Sequence, residues 1–278
     1  MARAPKSVGP YDIGDVLGKG GMGEVFRARH QTLDRQAALK RLVLPPDLNA
    51  ADAEMWRERF LREGKALAKI NHESIVAVFD LIEQRGDLWL ALELVDGFDV
   101  SDLVRAGALP IDIACMIGLG VARALEAAHR GGVVHRDVKP QNIIVSKLGV
   151  VKLMDFGVAR DESLDTLTKT GGVVGTPSYL APEVLKGQPA SHKSDVYALG
   201  AVLYELLSGR RLFAHATPET IWGLVATGKW PRLGKVAPTI PWKLTLLVER
   251  CLKLDPKRRP ASASEVKQQL ESFLANHS

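Results

Sequence analysis

The sequence predicts an α+β fold, with a strand-rich first third followed by a helix-rich remainder. Three observations carry this. Alternating apolar and polar residues mark five short strands before residue 95. From Ser101 onward the apolar spacing shifts to steps of three and four. The changeover falls at Val95-Asp96-Gly97, where a glycine breaks both periods.

The elements follow in chain order. Residues up to Pro10 read as a flexible leader. Strands are expected at 11–17, 25–30, 36–42, 75–82 and 88–94. One helix interrupts them at 52–70, where Phe60, Glu63, Leu67 and Ile70 share a face. In the second part a helix is expected at 111–130, stopped by Gly131-Gly132. Another is expected at 194–208, stopped by Gly209. No internal repeat or low-complexity run is present.

The bulk properties bound the function. The chain has 278 residues, 46% of them hydrophobic and 25% charged, and a formal net charge of +5. Acidic and basic residues are interleaved, so the basic balance does not read as a nucleic-acid or membrane surface. The one dense basic run is Lys257-Arg258-Arg259. Cys115 and Cys251 lie far apart in apolar contexts, and no Cys/His spacing suits a zinc site. They are expected as free buried thiols in a reducing cytoplasm. No apolar run reaches membrane-spanning length.

The chemistry concentrates in a few places. His135-Arg136-Asp137-Val138-Lys139-Pro140-Gln141-Asn142 is followed by Asp155-Phe156-Gly157. Together they supply a carboxylate base, a phosphate-binding lysine, a neutral oxygen ligand and a metal-binding carboxylate. Upstream, Gly18-Lys19-Gly20-Gly21-Met22-Gly23 precedes an alternating run, not a helix. The glycines therefore read as a hairpin tip that lets backbone N–H groups approach phosphate oxygens. Val25 would cover an adenine face. Lys40 sits in a short apolar strand, where an ammonium is costly unless paired. Glu63 is the one charge on the inward stripe of the next helix, and an ion pair with Lys40 is expected.

These motifs resemble the eukaryotic-type protein kinases along residues 11–274, and most closely the bacterial serine/threonine kinases. The match continues through Gly175-Thr176-Pro177, Ala181-Pro182-Glu183 and Ser194-Asp195-Val196-Tyr197-Ala198-Leu199-Gly200. The resemblance implies a bilobal kinase fold over residues 11–278, with an N-lobe at 11–94, a hinge at 93–97 and a C-lobe at 98–278. It implies transfer of the γ-phosphoryl of ATP, with Mg²⁺ (alternatively Mn²⁺), to protein Ser/Thr hydroxyls. Asp137, Lys139, Asn142, Lys40 and Glu63 would be catalytic, and Asn142 and Asp155 would hold the metal. ATP would contact Leu17, Gly18, Lys19, Gly20, Gly21, Met22, Gly23, Val25, Ala38, Lys40, Leu92, Glu93, Val95 and Ile144, with Leu92 as gatekeeper.

The same resemblance makes His135 and Phe156 apolar supports stacked with Leu67 and Val78. It pairs Glu183 with Arg259 and sets Asp195 to brace the backbone beside Asp137. Thr176 and Lys139 favour Ser/Thr substrates. Thr168 and Thr170, with Thr166 as a third candidate, would be autophosphorylated, and Arg136 would grip the phosphate. The expected partners are ATP, protein substrates and the chain itself, with no nucleic acid and no direct membrane contact. The resemblance leaves dimerisation open. The alternatives, a scaffold that has lost transfer and a small-molecule kinase, fit less well. The key residues are all present, and so is the Ala-Pro-Glu segment.

Overall fold

The computed structural model describes residues 5–20, 23–43, 49–156, 177–213 and 217–277. The chain divides into two compact units, Met1–Asp96 and Gly97–Ser278.

The first unit is a six-stranded antiparallel sheet and one helix. Its strands are β1 (Ser7–Val8), β2 (Tyr11–Gly20), β3 (Gly23–His30), β4 (Gln36–Leu42), β5 (Val78–Gln84) and β6 (Asp87–Glu93). They lie in the order β1-β2-β3-β4-β6-β5. Helix α1 spans Ala50–Leu67 and is capped by Asn49, whose side chain accepts from the Asp52 N–H.

The register sorts the sheet into two faces, because side chains alternate along a strand. Phe26 pairs with Leu39 and Leu39 with Ala91. With Val8, Tyr11, Ala28, Ala37 and Trp89 they form a buried cluster on one face. On the other face Val25 is opposite Lys40, Lys40 opposite Leu90 and Ala38 opposite Leu92. Helix α1 covers this second face: a Cβ on its Gly64 would touch the Leu90 and Leu81 side chains.

Two expectations need correcting here. The leader was expected to run to Pro10, yet Ser7 and Val8 pair with Asp12 and Tyr11, and Val8 is fully buried. Gln84 fastens this edge, accepting from the Gly9 N–H and donating to the Ser7 carbonyl. A two-residue strand is too short to show a period, so its pairing was invisible in the sequence. The strand expected at 75–82 is Val78–Gln84 instead. Ile75 makes an isolated bridge and Val76 follows it, so both are buried ahead of the strand itself.

The second unit is mostly helical. A small sheet comes first, with β7 (Gly97–Asp99), β8 (Ile143–Ser146) and β9 (Val151–Leu153) in that order. The helices are α2 (Val100–Arg105), α3 (Ile111–Arg130), α4 (Pro182–Leu185) and α5 (His192–Ser208). They continue as α6 (Pro218–Thr227), α7 (Leu233–Val236), α8 (Trp242–Cys251) and α9 (Ala263–Ala275). Helix α5 is apolar around its whole circumference, and every residue from Ser194 to Leu207 is buried. Such a helix must be wrapped by others. Helices α3 and α8 supply that cover, approaching closely where Gly118 faces Leu203 and Gly200 faces Cys251.

The ends of α5 are well defined. Ser191 and Ser194 form a reciprocal capping box at its start, and Gly209 ends it in a left-handed conformation at φ 67°. Cys115 and Cys251 are free and buried, as expected, and burial pushes both thiols up to about 12. Lys257-Arg258-Arg259 does not form one basic patch, because Arg259 is buried while its neighbours belong to a 3₁₀ turn, Pro256–Arg258. Among the described residues no helix is long and apolar enough to cross a membrane.

Candidate active site

In the first unit the glycine-rich segment lies where β2 and β3 converge. Their register runs Gly18 to Val25, Lys19 to Glu24 and Gly20 to Gly23. The glycines do lie between two paired strands, and those strands extend further into them than expected. Gly23 is required by the backbone: its φ is 141°, and a Cβ there would overlap the Arg41 carbonyl oxygen. Gly18 is different, since among the described residues a Cβ there meets no atom within 4 Å. The Lys19 ammonium is paired with Glu24 at 2.9 Å. Gly21 and Met22 lie outside the described residues.

Val25, Ala38, Lys40 and Leu92 share the sheet face that α1 packs on at Leu90 and Leu81. Lys40 and Glu63 are both half-buried. Glu63 precedes Gly64, whose backbone sits over Leu90, the residue directly opposite Lys40. Leu17 is 43% exposed. Glu93 closes the end of β6, its N–H donating to the Ala77 carbonyl and its carboxylate accepting from the Ala77 N–H. Val95 follows it and is half-buried.

In the second unit Asp137, Lys139 and Asn142 form a compact cluster. The Lys139 ammonium lies 2.8 Å from Asp137 Oδ2. Asn142 donates from Nδ2 to the same oxygen at 3.0 Å and to the Asp137 carbonyl at 2.7 Å. A 3₁₀ turn over Pro140–Asn142 makes this spacing work, with the proline at its start. Asn142 is buried, and its carbonyl accepts from the Met154 N–H at 2.9 Å. That bond carries the chain from β9 back to Asn142 and sets Asp155 beside it. Asp155 takes a left-handed φ of 56°, as Arg136 does at 68°. Neither is glycine, so both conformations cost free energy that surrounding contacts must offset.

For Arg136 those contacts converge on Asp195 in the first turn of α5, which is 1% exposed. Its Oδ1 accepts from the Arg136 N–H at 2.9 Å and its Oδ2 from the His135 N–H at 2.8 Å. The brace expected of Asp195 is therefore present. The sequence reading missed its third partner, His129 Nε2 at 2.8 Å from Oδ2. No motif spacing links His129 to the loop; only the packing of α3 against α5 does.

His135 is fully buried, as a supporting residue should be. Its Nδ1 accepts from the Asp137 N–H at 3.1 Å and its Nε2 faces the Met154 carbonyl at 3.0 Å. This pattern suits the neutral ring with its proton on Nε2. Burial drives its pKa below the ordinary value, outweighing the nearby carboxylates. Phe156 packs on it at 4.4 Å between ring centres.

Glu183 and Arg259 pair as expected, at 2.7 and 2.6 Å through two parallel bonds. Ser194 also donates to Glu183 at 2.9 Å. A second buried acid was not anticipated: Glu205 accepts from the Tyr179 hydroxyl, and Arg211 lies 3.5 Å from its other oxygen. A cavity of about 20 Å³, one water in size, is lined by Arg136, Asp137, Tyr179, Leu180, Ala181 and Ser194 among others. It sets the segment after Pro177 against the Asp137 loop. Ile144 lies in β8, opposite Asp99 and Lys152. Gly157, Thr166, Thr168, Thr170 and Thr176 lie outside the described residues.

This geometry has counterparts in known proteins. Residues 11–270 match the family described as the protein kinase domain. A probable serine/threonine-protein kinase of Corynebacterium efficiens is 38% identical over 279 residues, covering 96% of this chain and 41% of that protein. The serine/threonine-protein kinase PknB of Mycobacterium leprae is 38% identical over 281 residues, covering 97% of this chain and 44% of its own. The chain thus spans about two fifths of the length of the curated relatives it matches. The crystal structure of a mutant form of the Mycobacterium tuberculosis PknI kinase domain superposes with a TM-score of 0.75 at 29% identity. It covers 99% of this chain and 100% of that one. With the family match running nearly end to end and the fold shared with a solved kinase domain, the chain belongs to the protein kinase domain family.

Proposed function

We propose that this chain is a serine/threonine protein kinase that moves the γ-phosphoryl of ATP to protein hydroxyls. The observation that carries this reading is the convergence of Lys139 and Asn142 on one carboxylate oxygen of Asp137. A carboxylate held this way is pre-oriented, and phosphoryl transfer depends mostly on positioning and charge neutralisation.

In this reading Asp137 orients the acceptor hydroxyl and takes its proton. Lys139 offsets negative charge on the transferred group. The donor set fits a hard cation: Asn142 commits its amide nitrogen to Asp137, which leaves its oxygen for a metal, and Asp155 is set beside it. Bound Mg²⁺ would neutralise phosphate charge there.

Nucleotide is held by the first unit. Val25, Ala38 and Leu92 present an apolar sheet face for the adenine, with Leu92 as gatekeeper, and Leu17, Glu93 and Val95 complete that unit's contacts. Lys40, steadied by Glu63, meets the α- and β-phosphates. The open space at Gly18 supports close approach of backbone N–H groups to phosphate. Lys19, Gly20, Gly21, Met22 and Gly23 belong to the same cradle. Thr176 contributes to the Ser/Thr preference. Autophosphorylation of Thr168 and Thr170, with Thr166 as the third candidate, is the proposed control.

The test is incubation with Mg-ATP and a generic basic protein, beside Asp137→Asn, with phosphosites mapped by mass spectrometry. Transfer to Ser and Thr at roughly 1–100 s⁻¹, lost in the variant, is the expected result. ATP binding without transfer to any protein would refute the assignment.

A further inference from the structure

Two histidines outside the transfer chemistry stand together on the second unit. His129 is in the last turn of α3 and His192 is the first residue of α5. Their ring centres are 6.0 Å apart, edge toward face at 64°. We propose that His129 and His192 form a two-imidazole binding site for a divalent transition-metal ion of the zinc class.

The spacing fits. A metal–imidazole nitrogen bond of about 2.0–2.1 Å puts the ion about 3.2 Å from each ring centre, so two rings sharing one ion stand about 5–6.4 Å apart between tetrahedral and linear angles. The observed separation lies inside that range, and rotation of the exposed His192 ring about its side-chain torsions would turn a nitrogen toward the shared position.

The second shell also fits. His129 commits Nε2 to Asp195 at 2.8 Å, which leaves Nδ1 as its ligand nitrogen. A buried carboxylate on the far nitrogen fixes the tautomer and ring orientation of a metal-bound histidine and raises its basicity. Asp195 is itself held by two backbone N–H groups, so the first ligand is rigid. The His129 side chain is 13% exposed and His192 lies at the surface, which gives an ion access from solvent.

The ammonium of the adjacent Lys193 is bound to the Pro260 carbonyl at 2.8 Å. Among the described residues no third His, Cys, Asp or Glu joins the pair as a ligand, so solvent would complete the coordination. Two imidazoles and water favour Zn²⁺, Ni²⁺ or Cu²⁺ over the oxygen-seeking Mg²⁺. The site is therefore chemically distinct from the proposed Asn142–Asp155 site.

Calorimetric titration of Zn²⁺ into the metal-free chain, in excess Mg²⁺, tests this. One saturable site is expected, weakened at least tenfold in His192→Ala. It should weaken equally in His129→Gln, whose amide can still donate to Asp195. Thermal melts of both variants in the absence of metal establish that they are folded. Zn²⁺ binding of wild-type strength in either folded variant, or no saturable binding by the wild type, would overturn the proposal.

Discussion

Replacing Arg259 with Met removes a guanidinium from the interior and keeps most of its stem volume. The native group is 3% exposed and makes two bonds to Glu183. It also donates to the Lys193, Lys253 and Leu254 carbonyls. Without it, Glu183 remains a buried carboxylate with the Ser194 hydroxyl as its side-chain donor. Breaking a buried pair by removing one partner costs about 3–5 kcal/mol. Three carbonyls lose donors as well, so the expected loss is about 4 kcal/mol or more. For a unit of this size that is a fall of about 8–16 °C in Tm.

Urea unfolding followed by tryptophan fluorescence measures the loss. The control is Glu183→Leu with Arg259→Met, which removes both charges and should recover most of it. The pH dependence adds a second arm. Burial pushes the Glu183 carboxyl up, but the bonds and charge of Arg259 outweigh it, and the folded pKa ends below its ordinary 4.5. A depressed carboxylate stabilises above its unfolded pKa, and that contribution is lost as pH falls through the folded value. Wild-type stability should therefore drop below about pH 4.5 more steeply than that of the double variant. A loss under about 1 kcal/mol in Arg259→Met, or a double variant as damaged as the single, would refute the reasoning.

Three further outcomes follow from the geometry. Asp195→Asn keeps one acceptor oxygen and turns an NH₂ toward the His135 or Arg136 N–H. Transfer rate should fall at least tenfold while nucleotide affinity changes little, as separate kcat and ATP-binding measurements would show; an unchanged kcat contradicts the brace. Gly23→Ala should destabilise the first unit by about 1–3 kcal/mol, because its backbone conformation and the Arg41 carbonyl both exclude a Cβ. Gly18→Ala should leave stability within about 0.5 kcal/mol and weaken ATP binding instead; equal melting losses for the two would show that Gly18 is structural. Cys115 and Cys251 should both resist a disulfide reagent at pH 8 in the folded chain and react once it is unfolded; rapid labelling of the native protein would contradict their burial.

Much of the molecule was legible before any coordinates. Alternation located β3 within two residues and a short apolar run bounded by polar residues located β4, since a strand packed on both faces loses its strict period. The three-four spacing and the terminal glycines located α3 and α5. The Glu183–Arg259 pair and the Asp195 brace followed from the family resemblance, since neither spacing nor charge links residues 76 or 60 positions apart. What stayed hidden was short or non-local. Strand β1 has two residues and exists through its partner. His129 joins Asp195 across two helices, and Glu205 joins Tyr179 from the interior of α5.

The sequence by itself determined the family resemblance, the passage from a strand-rich to a helix-rich part and the chemical groups at Asp137, Lys139, Asn142 and Asp155. Local periodicity and motif spacing are properties of the chain, so they survive without coordinates. The tertiary structure alone decided which oxygen of Asp137 the lysine and amide share. It also decided how Asp195 holds a strained loop, and that His129 and His192 meet. Those depend on helices packed over long separations, where the closeness of two side chains is set by the core between them.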